Sequence, residues 1–335
     1  MASLSQRWYQ GHPLLWLLWP LSMLFALLSA ARRLAYRLNI IPVTSVTADV
    51  IVVGNISVGG NGKTPLVIAL ASHFREKGRR VGILSRGYGG NNSTFPRQVL
   101  PGDDARDVGD EPLLMATRTG VPVVIDPKRA RGARFLVDSL QCDIIICDDG
   151  LQHYALARDA EVVVMDERRW GSGHLLPMGP LREGRWRLNK VDAVVHNTAR
   201  DEGPYLPQIT SMQVSMHLEA GRAINVKYPQ QTAPVSELHS EPVTALAGIG
   251  NPDRFFRQLE TMGLAADEQI RFNDHHVFSR EDIPQGRVIM TEKDAVKVTA
   301  LAHDDCWFLP VTAALPTDFY THIASVLENA SHKGR

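Results

Sequence analysis

The run Gly54-Asn55-Ile56-Ser57-Val58-Gly59-Gly60-Asn61-Gly62-Lys63-Thr64 stands between a short apolar segment, residues 50–53, and an apolar-periodic segment, residues 65–75. Glycines let backbone N–H groups turn inward, and a helix starting near Lys63 adds the positive end of its dipole, so that the loop cradles phosphate oxygens. On this reading Ser57, Val58, Gly59, Gly60, Asn61, Gly62, Lys63 and Thr64 line the cradle. Lys63 reaches the β and γ phosphates of a nucleoside triphosphate, and Thr64 offers its hydroxyl to Mg²⁺. The strict pattern has glycine five positions before Gly62, where this chain has Ser57. Pro65 falls in the first helical turn, where its missing N–H costs nothing. The alternative is a coincidental glycine-rich turn.

A metal partner belongs at the end of another buried strand. In Asp143-Ile144-Ile145-Ile146-Cys147-Asp148-Asp149-Gly150, four apolar residues deliver two adjacent carboxylates to the carboxyl edge of a sheet, where open α/β sheets bind ligands. One of Asp148 and Asp149 holds Mg²⁺, directly or through water, and the other is left for polarisation or substrate contact. Taken alone, Asp-Asp-Gly is an ordinary turn. Asn189-Lys190-Val191-Asp192 matches a guanine-reading motif but precedes a strand, and Leu151 stands where a GTPase switch needs glycine, so it reads as a decoy. Membrane-positioning ATPases carry a second lysine just before the glycine pair, and here that residue is Val58.

These groups need a scaffold. Apolar strands at 50–53, 80–84, 121–125, 143–147, 161–165 and 191–196, with helices between most of them, imply a parallel sheet covered on both faces. Residues 213–226 alternate and turn at Ala220-Gly221-Arg222, which reads as a two-stranded ribbon with 223–226 pairing back. A strand at 243–247 and a helix at 252–262 then open a second α/β unit. The expected fold is α/β: a P-loop NTPase-like parallel-sheet domain and a smaller α/β domain joined by a β ribbon, behind an N-terminal membrane-associated helix. The expected bounds are 1–38 for the helix, 39–212 for the P-loop domain, 213–235 for the ribbon and 236–335 for the smaller domain.

The chain has 335 residues, more than one core usually organises, and 36 basic residues balance 36 acidic ones. Zero net charge gives no electrostatic footprint for nucleic acid. Cys142, Cys147 and Cys306 form neither a zinc spacing nor an even disulfide set, which points to a reducing compartment. Residues 14–31 carry no charge and as a helix extend roughly 27 Å, close to a hydrocarbon core. A cleaved signal peptide, a span, a helix lying in one leaflet and a buried core helix all compete. Arg32, Arg33 and Arg37 favour a cytoplasmic C-terminal side, and membrane attachment with a cytoplasmic catalytic body is the expectation.

Across most of its length the chain resembles the tetraacyldisaccharide 4'-kinase family, the lipid A 4'-kinases of Gram-negative bacteria. The resemblance rests on the loop with Pro65 and on Leu84-Ser85-Arg86-Gly87-Tyr88-Gly89, Gly109-Asp110-Glu111-Pro112 and Asp148-Asp149-Gly150-Leu151-Gln152-His153. It also rests on Pro180-Leu181-Arg182-Glu183, Asp274-His275-His276 and Thr291-Glu292-Lys293-Asp294-Ala295. Leu151 departs from the family, where an aromatic residue is common.

The resemblance implies ATP-dependent phosphorylation of the 4'-hydroxyl of the lipid A disaccharide 1-phosphate, giving lipid IVA. It places the enzyme on the cytoplasmic face of the bacterial inner membrane, with a lipid surface as partner and no obligate protein partner. It implies Asp110 as general base with His275 beside it, working with Lys63 and Asp149. Because Asp110 is assigned to the first domain and His275 to the second, domain closure is expected to assemble them. As alternatives, Asp110 caps a helix and His275 and His276 are surface or metal-binding residues. Arg86, Tyr88, Arg129, Arg131 and Arg182 are carried over as contacts to phosphate or sugar, and His153, Glu183 and Lys293 as lining the same cleft.

Overall fold

A computed structural model describes residues 7–9, 11–198 and 206–332. The expected outer limits at 1 and 335 lie outside the described residues. In chain order the principal helices are α1 (Trp19–Arg37), α2 (Lys63–Glu76), α3 (Asp110–Thr119), α4 (Arg129–Asp138), α5 (Pro252–Thr261), α6 (Glu292–Val298) and α7 (Thr317–His332). The strands begin with β1 (Asp49–Gly54), β2 (Val81–Ser85), β3 (Arg97–Val99), β4 (Val123–Ile125) and β5 (Ile144–Asp148). They continue with β6 (Ala160–Asp166), β7 (Ala193–Asn197), β8 (Met212–Ala220), β9 (Ala223–Asn225) and β10 (Thr232–Ala233). The last are β11 (Val243–Ala247), β12 (Glu268–Arg271), β13 (Arg287–Thr291), β14 (Cys306–Leu309) and β15 (Val311–Ala314).

The chain divides into two compact units. The first comprises Met1–Arg86, Asp126–His217 and Ala314–Arg335, and the second Gly87–Ile125 and Leu218–Ala313. In the first, strands run in the order β8-β7-β6-β1-β5-β2, each parallel to its neighbours in that run. All six residues of β1 and all five of β5 are buried, as their apolar runs require when helices cover both faces. The helix α2 buries Leu66, Val67, Leu70, Ala71 and Phe74. Full burial of each large apolar side chain is worth about 1.5–3 kcal/mol, and that packing fixes the start of α2 beside the end of β1.

The second unit holds a sheet of order β10-β9-β14-β13-β11-β12, parallel from β14 to β12 and antiparallel where β9 joins β14 and β10. The segment Gly87–Ile125 belongs to this unit rather than to the P-loop body. Its helix α3 packs on α6, and Arg118 of α3 places Nη1 2.7 Å from both carboxylate oxygens of Glu292 on α6. The assignment of Asp110 to a different domain from His275 is therefore corrected. Residues 223–226 also differ from expectation: β9 pairs with β14 and β10, not with β8. In its sheet β8 lies between β7 and β15, so the strand beside it in the ribbon is β15 rather than β9.

Candidate active site

The chain enters the glycine loop from β1 and leaves it into α2, whose N-cap is Gly62 at φ 92°. A Cβ there would lie 2.3 Å from Asn197 Nδ2, so both the backbone conformation and the space demand glycine. Three successive loop carbonyls are held by side-chain donors: Gly59 O by Asn55 Nδ2 (3.3 Å), Gly60 O by Arg168 Nη2 (3.1 Å) and Asn61 O by Asn197 Nδ2 (3.1 Å). Because a trans peptide sets its N–H opposite its C=O, this fixes the N–H groups of Gly60, Asn61 and Gly62 toward the other side of the loop. Successive amides aimed one way form an anion cradle. Asn61 also donates to Ser57 Oγ at 3.0 Å, and Ser57 bridges Leu181. The Pro180-to-Glu183 motif thus acts as a brace, with Val58 N donating to Pro180 O (2.9 Å) and Arg182 N to Ile56 O (2.7 Å).

Register puts Val53 of β1 beside Asp148 of β5, which brings the two carboxylates next to the loop. Ser85 Oγ donates to Asp148 Oδ2 at 3.0 Å, and Arg129, 2% exposed, donates to the Asp148 carbonyl at 2.9 Å. Asp149 sits at φ 47°, a left-handed conformation that non-glycine residues adopt at a cost of order 1–3 kcal/mol and that clusters at working sites. Its carboxylate faces Lys63 Nζ at 3.7 Å and Arg182 Nη1 at 2.9 Å. Burial pushes Asp149 up, but Lys63 and Arg182 outweigh it and hold the carboxyl below its ordinary range. Leu151 is fully buried, with its Cβ 2.7 Å from where a Cβ on Gly54 would lie, so this close approach requires glycine at position 54.

Thr64, Asp148 and Asp149 are hard oxygen donors suited to Mg²⁺. Among the described residues no group of three or more His, Cys, Asp or Glu side chains could hold a metal. This donor set fits an ion that takes part of its coordination from nucleotide phosphates and water.

The remaining candidates of this unit separate. His153 is pushed down to about 4 by burial, reinforced by Arg129 and Arg86, and is a neutral imidazole at neutral pH. Arg86 is exposed at the end of β2. Arg131 donates both arms of its fork to Asp126 (2.7 and 2.9 Å). Glu183, 2% exposed, accepts from Tyr154 and from Arg187 Nε (3.1 Å), so its carboxylate is engaged in a buried network. Asn189 accepts from Thr210 N and Asp192 from Glu161 N, the structural roles expected of a decoy.

In the second unit Asp110, 5% exposed, opens α3 directly after Gly109. Gly109 has φ 90°, and a Cβ there would lie 2.7 Å from Tyr88 O. Asp110 Oδ2 lies 3.0 Å from His275 Nδ1, and Lys293 Nζ stands 3.7 Å from Asp110, 3.3 Å from Glu111 and 3.1 Å from Asp274. Burial raises the Asp110 pKa, but the His275 hydrogen bond and the charge of Lys293 overcome this and lower it. The hydrogen bond to Asp110 raises that of His275 against the opposing effects of burial and Lys293. His275 itself has φ 60°, and the Tyr88 ring meets it edge-on at 5.4 Å. His276 instead stacks on Phe272 and contacts Asp282 at 3.2 Å, a packing role.

Sequence reasoning missed Arg168 as part of the loop. Its one signal is position, two residues past the carboxyl end of β6, where parallel sheets place ligand-facing groups. Also in the first unit, a cavity of about 340 Å³ is lined by α1 and the 175–186 segment and includes Arg33, Arg182 and Trp186.

Comparison with known proteins gives a consistent result. Residues 14–328 match the family model described as Tetraacyldisaccharide-1-P 4'-kinase. A tetraacyldisaccharide 4'-kinase of Pseudoalteromonas atlantica is 49% identical over 92% of this chain and 99% of its own. One from Tolumonas auensis is 45% identical over 98% of both. The crystal structure of the Aquifex aeolicus LpxK in complex with ATP superimposes with a TM-score of 0.82 at 28% identity, covering 94% of this chain and 99% of that one.

Proposed function

The chain belongs to the tetraacyldisaccharide 4'-kinase family, and from that membership we propose how its residues divide the work of phosphorylating the 4'-hydroxyl of the lipid A disaccharide 1-phosphate. The enzyme is an ATP-dependent phosphotransferase with an alcohol acceptor, and its product is lipid IVA. The observation that carries the assignment of the donor site is the pairing of Val53 with Asp148, which sets the glycine loop beside the carboxylates, with Lys63 Nζ 3.7 Å from Asp149.

The loop amides of Gly60, Asn61 and Gly62 receive phosphate oxygens, and Lys63 leaves Asp149 to neutralise charge on the transferring group. Thr64 and the Asp148–Asp149 pair would hold Mg²⁺, which would supply positive charge to offset that developing on the transferring phosphate. Arg182 steers Asp149 and lines the cavity under α1, which makes it the phosphate or sugar contact favoured by its surroundings. Asp110 takes the proton of the 4'-hydroxyl. A base kept ionised by His275 and Lys293 is ready at neutral pH, and such a group contributes about 10²–10⁴ in rate.

The helix Pro13–Arg37 is long and apolar enough to cross a membrane by length and composition. Its faces support a different placement. Ser22 donates to Leu175 O, and Ala26, Ser29, Ala30 and Arg33 line the cavity beside the protein body, while Leu17, Leu21, Leu24 and Leu28 are exposed. A helix with one docked face and one leucine stripe suits the plane of the interface on the cytoplasmic side of the inner membrane.

The test is to incubate the purified enzyme with ATP, Mg²⁺ and detergent-dispersed tetraacyldisaccharide 1-phosphate, then locate the added phosphate by tandem mass spectrometry. Addition at the 4' position supports the assignment. Inorganic phosphate released at a rate indifferent to the lipid would indicate a regulatory nucleotidase instead.

A further inference from the structure

We infer that Trp8, Tyr9 and Arg168 form a strut behind the phosphate loop, so that seating of the N-terminal segment sets the enzyme's affinity for ATP. The inference rests on the reading of residues 57–64 as the ATP loop. Two contacts join that segment to the loop. Val58 packs into a small apolar cluster built on Trp8, Leu15 and Met178, with Tyr9, Leu18 and Leu176 around it. Trp8 is fixed there by its Nε1 donating to Pro177 O (2.9 Å) and by Ser172 N donating to its carbonyl (3.2 Å).

The second contact is Arg168. Its Nη2 donates to Gly60 O and to Asn61 Oδ1 (3.2 Å), Nε is anchored on Asp166 Oδ2 (2.7 Å), and its Cζ lies 5.4 Å from the centre of the Tyr9 ring. Arg168 thus holds the middle of the three outward carbonyls, the one whose peptide aims the Asn61 N–H into the cradle. Of the three carbonyl donors, Arg168 is the one stacked on the N-terminal segment. Gly171 keeps this approach open, since a Cβ there would lie 2.8 Å from the Tyr9 ring. An arginine stacked on an aromatic face loses freedom to leave the loop, and the loop loses freedom to collapse when no phosphate fills it. A segment otherwise read as an anchor then preorganises the nucleotide site.

The test uses the full-length enzyme in detergent with MgATP. Tyr9→Leu removes the ring face and should raise KM for ATP about two- to fivefold, leaving kcat and KM for the acceptor lipid unchanged. Tyr9→Phe, which keeps the ring, should restore the wild-type KM. Arg168→Gln should raise KM for ATP as well, and Tyr9→Leu should add nothing in that background because both act through one contact. An unchanged KM for ATP in Tyr9→Leu, or additive effects in the double variant, would overturn the strut. Lys63→Ala serves as control: if it leaves ATP binding intact, the loop reading itself fails, whereas weakened binding in Lys63→Ala beside normal binding in Tyr9→Leu rejects the strut alone.

Discussion

His275 Nδ1 lies 3.0 Å from Asp110 Oδ2 across 165 positions of sequence, and both residues belong to the second unit. The pair is therefore built into one packed body and needs no closure to form. Asp110→Asn keeps the shape of the side chain and removes its basicity. Turnover should fall about 10²–10⁴-fold, while ATP affinity measured by a bound fluorescent nucleotide stays near wild type. Equal loss of binding and turnover would remove Asp110 from the role of base.

The same pair predicts a pH signature. The Asp110 pKa is lowered and the His275 pKa raised, so their mutual stabilisation is present above the lowered Asp110 value and declines as pH rises through the raised His275 value. In His275→Gln the charge of Lys293 still lowers the Asp110 pKa, but the hydrogen bond from the imidazole is gone. The acid limb of kcat/KM should move to higher pH, and the variant's loss of thermal stability should shrink as pH rises past the His275 pKa. An acid limb that stays in place would separate His275 from the base.

Gly62→Ala tests the cradle by geometry. The new Cβ meets Asn197 Nδ2 at 2.3 Å and requires φ 92°, a conformation costing an L-residue roughly 1–2 kcal/mol. Displacement of Asn197 frees the Asn61 carbonyl and misaims the Gly62 N–H. KM for ATP should rise at least about tenfold, with the melting temperature lowered; a wild-type KM would mean that the loop amides do not grip phosphate.

Membrane attachment should depend on the outward stripe of α1. Replacing Leu24 and Leu28, both exposed, by serine removes apolar area from the face away from the protein body. Sedimentation with vesicles of anionic phospholipid should weaken, while ATP binding is retained. Undiminished sedimentation would contradict the interfacial placement.

Much of this was legible because its physics is local. The apolar run ending in Asp148-Asp149 could be read as a buried strand delivering carboxylates, and β5 is that strand. The glycine loop announced itself by the backbone freedom it needs. The second unit was less legible. Nothing local to Gly109 or Asp110 shows that α3 will pack on α6, because that packing is a long-range contact, with Arg118 and Glu292 paired across 174 positions of sequence. Lys293 could be placed through a motif, but its position among Asp110, Glu111 and Asp274 depends on three separated segments. The fork of Arg131 looked suited to phosphate, yet Asp126, five residues away and fully buried, already occupies it. Residue type supplies a capability, and packing decides where it is spent.

Transfer of label from γ-labelled ATP to the acceptor lipid, compared between wild type and Lys63→Ala under saturating Mg²⁺, tests the central claim most directly. The account predicts label in the 4'-phosphate with wild type and a loss of about 10²-fold or more in the variant. Lys63→Ala labelling the lipid at the wild-type rate would contradict it.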